Sequence, residues 1–355
     1  MTTPPDFNAL IALRAKQGEL DALNAIEHAH QLHALQPLLE LDGSKDAPAS
    51  QLARLVPVVR RLEGLGRHVM VDCAETPADT VIGAGASGLL GELADELSYP
   101  RDLFDDQPVT FIPVVRDDAS DARLDGISLL CEHLDLGAAV RVREPRISRA
   151  AIERILDRLR LDPSALDLII DLRYLAKIPP GLIDDAAATA TAFSEFGTFR
   201  SVTLLSGSVP PFLSKTSAWL EPRLEEVLWQ QVAAASPVPL KFGDYGAVHP
   251  LGGPGFPSKH VSVKYARPAH WLFVRERMNE ADPVVPASAD NGPRARTFRM
   301  VCRHLVESGD FAGPDFSWGD RQIADAADGQ GRGLGSTSVP VAYATSHHLA
   351  YLTAA

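Results

Sequence analysis

The sequence predicts an α/β chain folded as a (β/α)8 TIM-type barrel, with a C-terminal hairpin and helical elaboration after the eighth strand. Short β-rich apolar runs alternate with segments of helical length, eight times over. Such alternation implies parallel strands joined by helical crossovers. Eight units in about 240 residues is the number and size of a closed barrel. Nearly every run also turns polar only at its carboxyl end. The rival, an open doubly wound sheet, usually carries a Gly-rich turn after its first strand, and "RAKQGEL" is no G-x-G-x-x-G.

Taken in order, the strands are Phe7–Arg14, 35–41, 68–73, 109–116, 138–144, 166–172, 199–206 and 239–245. A helix is expected from Glu19 to Ala34, and others follow over 56–65, 88–97, 125–135, 149–159, 182–196 and 224–235, with apolar residues three and four apart. Ser148 suits an N-cap, because its hydroxyl can accept from a free amide of the first turn. Residues 1–250 are therefore read as the barrel and 251–355 as an elaboration packed on the same domain. Within the latter, "VSVKYA" and "WLFVRER" read as a hairpin around "RPAH". A Pro- and Ala-rich linker (281–294), a helix over 295–307, a further short helix with a Gly-rich loop, and a last helix containing "SHHLAYLTA" follow. Beginning after the eighth strand, this part could cover the barrel mouth as a lid or close its helical ring.

Composition narrows the function classes. With 45% hydrophobic and 23% charged residues the chain is ordinary globular protein. A net charge of -12 argues against direct nucleic-acid binding over a broad face. The three cysteines are far apart and form no C-x-x-C pair, which suits a reducing compartment. Neither a leader pattern nor an apolar run of roughly 18 residues is present, so the expected location is cytoplasmic, away from membranes.

Counting each strand with a period of two puts one set of side chains together at the carboxyl end. Four acids fall there, Glu40, Asp72, Asp171 and Asp244, with four bases, Lys16, Arg116, Arg143 and Arg173. Strand five also offers Arg141. In a barrel these ends meet on the rim that carries active sites. Gathering such charges is costly without mutual pairing or a ligand, so two readings stand: a self-satisfied ion-pair ring, or a binding or catalytic pocket. In the pocket, the three arginines hold an anion by forked hydrogen bonds and Lys16 clamps it. Asp171 or Asp244 acts as base, and Glu40 and Asp72 are oxygen ligands for a divalent cation. Ser206 opens "SGSVP" (206–210), whose small residues let backbone amides approach a phosphate.

Other motifs are weaker. "GAGASG" (83–88) lacks the Lys-Ser/Thr ending of a P-loop, and no serine or cysteine triad is recognisable. His347 and His348 are adjacent, so on a helix they diverge and do not readily share a metal.

The opening "LRAKQGELDALNAI" with "LQPLLEL", then "VRVRE", "IIDLR", "FGDYG", "KYARPAHWLFVRER", "FSWGDRQIADAA" and "SHHLAYL", in that order, resembles the phage-type beta protein family. The resemblance spans nearly the whole chain. It implies one full-length unit and a setting in phage–host conflict or defence, and it supplies no reaction and no catalytic residue. Two functions follow. One is a receptor or enzyme for a small anionic, phosphate-bearing ligand, with hydrolysis or phosphoryl chemistry as the reaction class. The other is a non-catalytic barrel scaffold that engages a protein partner of an anti-phage system.

Overall fold

The computed structural model describes residues 2–41, 48–73, 88–99, 108–143, 147–251, 258–279 and 290–354. All but the last residue of "GAGASG", and most of the loop after residue 251 and of the 281–294 linker, lie outside them. The chain forms two compact units. One comprises Met1–Ala15, His28–Gly207 and Leu224–Tyr245; the other comprises Lys16–Glu27, Ser208–Arg223 and Gly246–Ala355.

The first unit is the barrel. Its strands are β1 (Ala9–Arg14), β2 (Leu35–Glu40), β3 (Met70–Asp72), β4 (Ile112–Arg116), β5 (Ala138–Val142), β6 (Leu166–Tyr174), β7 (Ser201–Gly207) and β9 (Lys241–Asp244), joined in that order into a closed ring. Every pairing is parallel, and β9 closes on β1 with Leu10 opposite Gly243. The crossover helices are α2 (Pro48–Gly64), α3 (Leu89–Ser98), α4 (Asp121–Leu134), α5 (Arg149–Leu159), α6 (Leu182–Ser194) and α7 (Leu224–Ala235). Ser148 does cap α5, accepting from the Ala151 amide at 3.2 Å. Inside the ring lie Leu10, Ala12, Leu38, Met70, Ile112, Val114, Ala139, Ile169 and Leu205, the alternate residues of seven strands.

The expected helix over Glu19–Ala34 is shorter. Helix α1 (Gln17–Asn24) ends early, and a single 3-10 turn follows at Ala29–Gln31. Helix α1 belongs to the second unit and packs on α10 (Val339–Ala354), where Gly18 sits so close to Ser338 O and Val341 that a Cβ would clash at 2.7 and 2.9 Å. That unit also holds a strand the periodicity does not reveal, β8 (Ser217–Pro222). It pairs antiparallel with β11 (His270–Arg277), which pairs with β10 (His260–Arg267) as the expected hairpin. Helices α8 (Pro293–Glu307), α9 (Trp318–Ala327) and α10 complete its core, built on Tyr265, Trp271, Phe273, Phe298 and Leu305.

The adjacent histidines are both core residues of this unit. His347 bonds the Asp320 carboxylate through Nδ1 and the Ala266 carbonyl through Nε2, each at 2.9 Å, and stacks on Tyr265 with centroids 3.6 Å apart. Tyr265 and Ser317 each donate a 2.6 Å hydrogen bond to Asp320. Trp271 packs on His348.

Candidate functional site at the carboxyl end of the barrel

The centre of the site is Arg141, a residue the strand-end pattern offers but does not single out. It is fully buried and points into the barrel from β5, level with Ile169 of β6. Its Nη1 donates to Glu40 Oε1 at 2.5 Å and to Asp72 Oδ2 at 2.7 Å. Nε reaches Asp171 Oδ2 at 3.0 Å, and Nη2 donates to the Tyr245 hydroxyl at 2.8 Å. That hydroxyl donates onward to Asp171 Oδ1 at 2.6 Å. Arg116 adds a bond from Nε to Asp72 at 3.0 Å. One guanidinium thus ties together β2, β3, β6 and the residue after β9.

The protonation states follow from this packing. Burial works against the charge of Arg141. The Tyr245 oxygen and the carboxylates of Asp171, Glu40 and Asp72 more than restore it, so the guanidinium is held more firmly charged than usual. Burial raises the Tyr245 phenol; Arg141 pulls it down, but Asp171 and Glu40 push it up, so it stays a donor.

Arg143, two residues on, lies above this layer. Its side chain is 16% exposed, against none for Arg141. It is ion-paired with Asp171 at 3.6 Å and Glu40 at 4.0 Å, and its backbone amide donates to Asp117.

The structure therefore gathers Glu40, Asp72, Arg116, Arg143 and Asp171, as expected. The other four predicted residues go elsewhere. Asp244 and Ser206 sit at the right end of their strands but on the opposite face. Leu205 points inward and pairs with Gly243, so Ser206 and Asp244 alternate outward. Asp244 shares its face with Phe242, whose ring meets Trp229 of α7 edge-on. Tyr245 takes the inward place that the count assigned to Asp244. Arg173 follows a bulge in β6 and has left-handed backbone (φ 55). Its backbone amide reaches Asp171, at 2.9 Å. Lys16 precedes α1 and belongs to the second unit.

The metal assignment also fails on geometry. Glu40 and Asp72 both accept from the same Arg141 nitrogen, so a cation already stands where a metal between them would have to sit. Among the described residues no group of three or more His, Cys, Asp or Glu could hold a metal ion.

Comparison with known proteins gives one decisive result. The model of the family described as Beta protein matches residues 12–354. The chain belongs to the Beta protein family. This match covers both compact units. No curated protein matches the chain. Among solved structures, one that is similar is described as a "putative fructose-1,6-biphosphate aldolase" from Coccidioides immitis. It is 13% identical, with a TM-score of 0.36, and the match covers 67% of this chain and 73% of that one. A likeness this low bears on no residue of the site. No helix among the described residues is long and apolar enough to cross a membrane.

Proposed function

We propose that the barrel of this Beta protein family member binds a small anionic, phosphate-bearing ligand at its carboxyl rim, with Arg143 as the principal contact. The observation that carries this reading is the layering of the site. Below, Arg141 and three carboxylates are locked in mutual hydrogen bonds; above them Arg143 brings a forked, solvent-accessible donor to the mouth. A guanidinium fork matches phosphate or carboxylate oxygens in pairs. Asp171 acts here as a holder and not as a base. Its two oxygens already accept from Arg141, Tyr245 and the Arg173 amide, which leaves a poor proton acceptor. This favours a binding module over hydrolytic or phosphoryl chemistry.

The test is thermal shift and calorimetric titration of the full chain with inorganic phosphate, ribose 5-phosphate and AMP. At a hundredfold excess over Kd, binding to the native state adds roughly 2.7 kcal/mol. Arg143→Gln should abolish the response. Its ion pairs with Asp171 and Glu40 are mostly buried, so some loss of stability is expected as well and binding is compared per folded molecule. Asp244→Asn, on the helix-facing side, should leave the response intact. Absence of any shift, or an equal shift in Arg143→Gln, would overturn the reading.

A second reading rests on the same closed network. Because every carboxylate of the cluster is bonded to an arginine, the barrel can serve as a scaffold that engages a protein partner. The phage-conflict setting enters only through the sequence resemblance. Its test is plaque formation on cells carrying the chain or its Arg143→Gln variant: protection lost with the ligand response supports the receptor, and protection retained supports the scaffold.

A further inference from the structure

We infer a second ligand site at the opposite, amino end of the barrel, shaped for a small uncharged polyol of monosaccharide size. A cavity of about 260 Å³ lies there, lined by Phe7, Gln36, Ile112, Asp167, Arg200 and Ser201 and roofed by Thr3–Asp6. The roof is tied down on both sides. Thr2 is bonded to Asp135 through its amide and hydroxyl. At the other side Arg67 donates to the carbonyls of Pro5, Asp6, Leu32 and His33, and Lys241 binds Asp6 Oδ1 and Phe7 O. Consecutive prolines, Pro4 and Pro5, stiffen the span between.

Gln36 indicates a ligand. It is 1% exposed, and both of its amide hydrogens are used, on Pro37 O at 3.2 Å and His68 O at 2.9 Å. Those two carbonyls fix which way the amide faces, so Oε1 is the acceptor left over. It accepts no hydrogen bond among the described residues and is not sealed from solvent, so a donor that enters the cavity can reach it. The charges nearby already cancel. Asp167, 2% exposed, takes Arg200 through Nε and Nη2 and accepts from Ser201 at 2.6 Å. Arg200 spends one further hydrogen on Leu136 O, at 2.7 Å, which leaves one hydrogen on each terminal nitrogen. A charged ligand finds no unpaired opposite charge among Asp167 and Arg200, which already neutralise each other. A neutral molecule rich in hydroxyls supplies a donor to Gln36 and acceptors to Arg200, and its carbon face suits Phe7, Ile112 and the prolines.

The site is independent of the carboxyl rim, and so is its test. Saturation-transfer NMR and calorimetry on the full chain use D-glucose as the probe, with acetate and methylammonium as charged comparators. Saturable D-glucose binding at millimolar concentration is expected, with neither ion binding as well. Gln36→Met, which keeps length and removes the acceptor, should weaken it at least tenfold. Pro4→Trp fills the cavity from its roof and should do the same even where Gln36→Met fails to fold. Arg143→Gln should not affect it. No saturation by D-glucose, stronger binding of either ion, or unchanged affinity in Pro4→Trp would overturn the proposal and leave Gln36 to water alone.

Discussion

Arg141 in the barrel and Asp320 in the second unit are both fully buried charges, yet they are satisfied in opposite ways. Arg141 is a cation among three carboxylates and a phenol. Asp320 is an anion held by a phenol, a hydroxyl and an imidazole. The first is compensated by full opposite charges that repel one another once it is gone. The second is compensated by two hydroxyl dipoles that can turn or find other acceptors, and by one imidazole anchored on its far side by the Ala266 carbonyl. Removing the central charge should therefore be far more damaging in the barrel than in the second unit.

The largest effect expected is for Arg141→Met. Breaking a buried ion pair from one side costs about 3–5 kcal/mol, and here three acids are stranded together, so the loss should reach or exceed that range. Urea unfolding followed by circular dichroism measures it. Asp320→Asn keeps shape and most hydrogen bonds and should cost about 1–3 kcal/mol. Equal losses for the two would dissolve the contrast.

Thiol labelling sharpens it. All three cysteines are free and buried. Burial alone raises the Cys302 thiol, and burial together with the Asp72 charge raises Cys73. Burial lifts Cys131 to about 12. None should react at neutral pH while its surroundings are folded, since the thiolate is the nucleophile. Arg141→Met should open Cys73 and Cys131 before Cys302, and Asp320→Asn should open Cys302 first. Mass spectrometry of alkylated peptides reads the order; labelling of all three together in both variants would show that the units do not open separately. The smallest effect belongs to Tyr245→Phe. It removes one hydroxyl between Arg141 and Asp171 and should cost about 1–2 kcal/mol, without changing which cysteine opens first.

Much of the barrel was legible because alternation and strand-end polarity are local signals. Glu40, Asp72, Arg116 and Asp171 follow inward apolar partners at a period of two, and that phase is unambiguous where one face is plainly larger. In "LKFGDYG" it is not. Phe242 and Asp244 look like the inward pair, but Gly243 is the residue that fits against Thr203, where a Cβ would meet Cγ2 at 2.8 Å. That close approach depends on a neighbouring strand 40 residues away and leaves no mark in the local pattern. The same slip misplaced Ser206. Strand β8 was missed for a different reason: its side chains are largely exposed, so "SAWLEP" has no buried face to advertise. The count offered Arg141 together with Arg143 but could not single it out, because which of the two arginines the three acids surround depends on four different strands.

The interleaving of the two units along the chain governs how the molecule can assemble during synthesis. Strand β1 waits for its second neighbour until β9 has been made, more than 200 residues later, so ring closure is a late, long-range event of the kind that folds slowly. Helix α1 waits longer still, because the surface it packs on is α10. For most of translation an early amphipathic segment therefore emerges without its partner, in the condition that recruits chaperones. Cutting the gene after residue 250 would not release a tidy barrel. It would make that waiting permanent for Lys16–Glu27 and Ser208–Arg223, the two early pieces of the second unit.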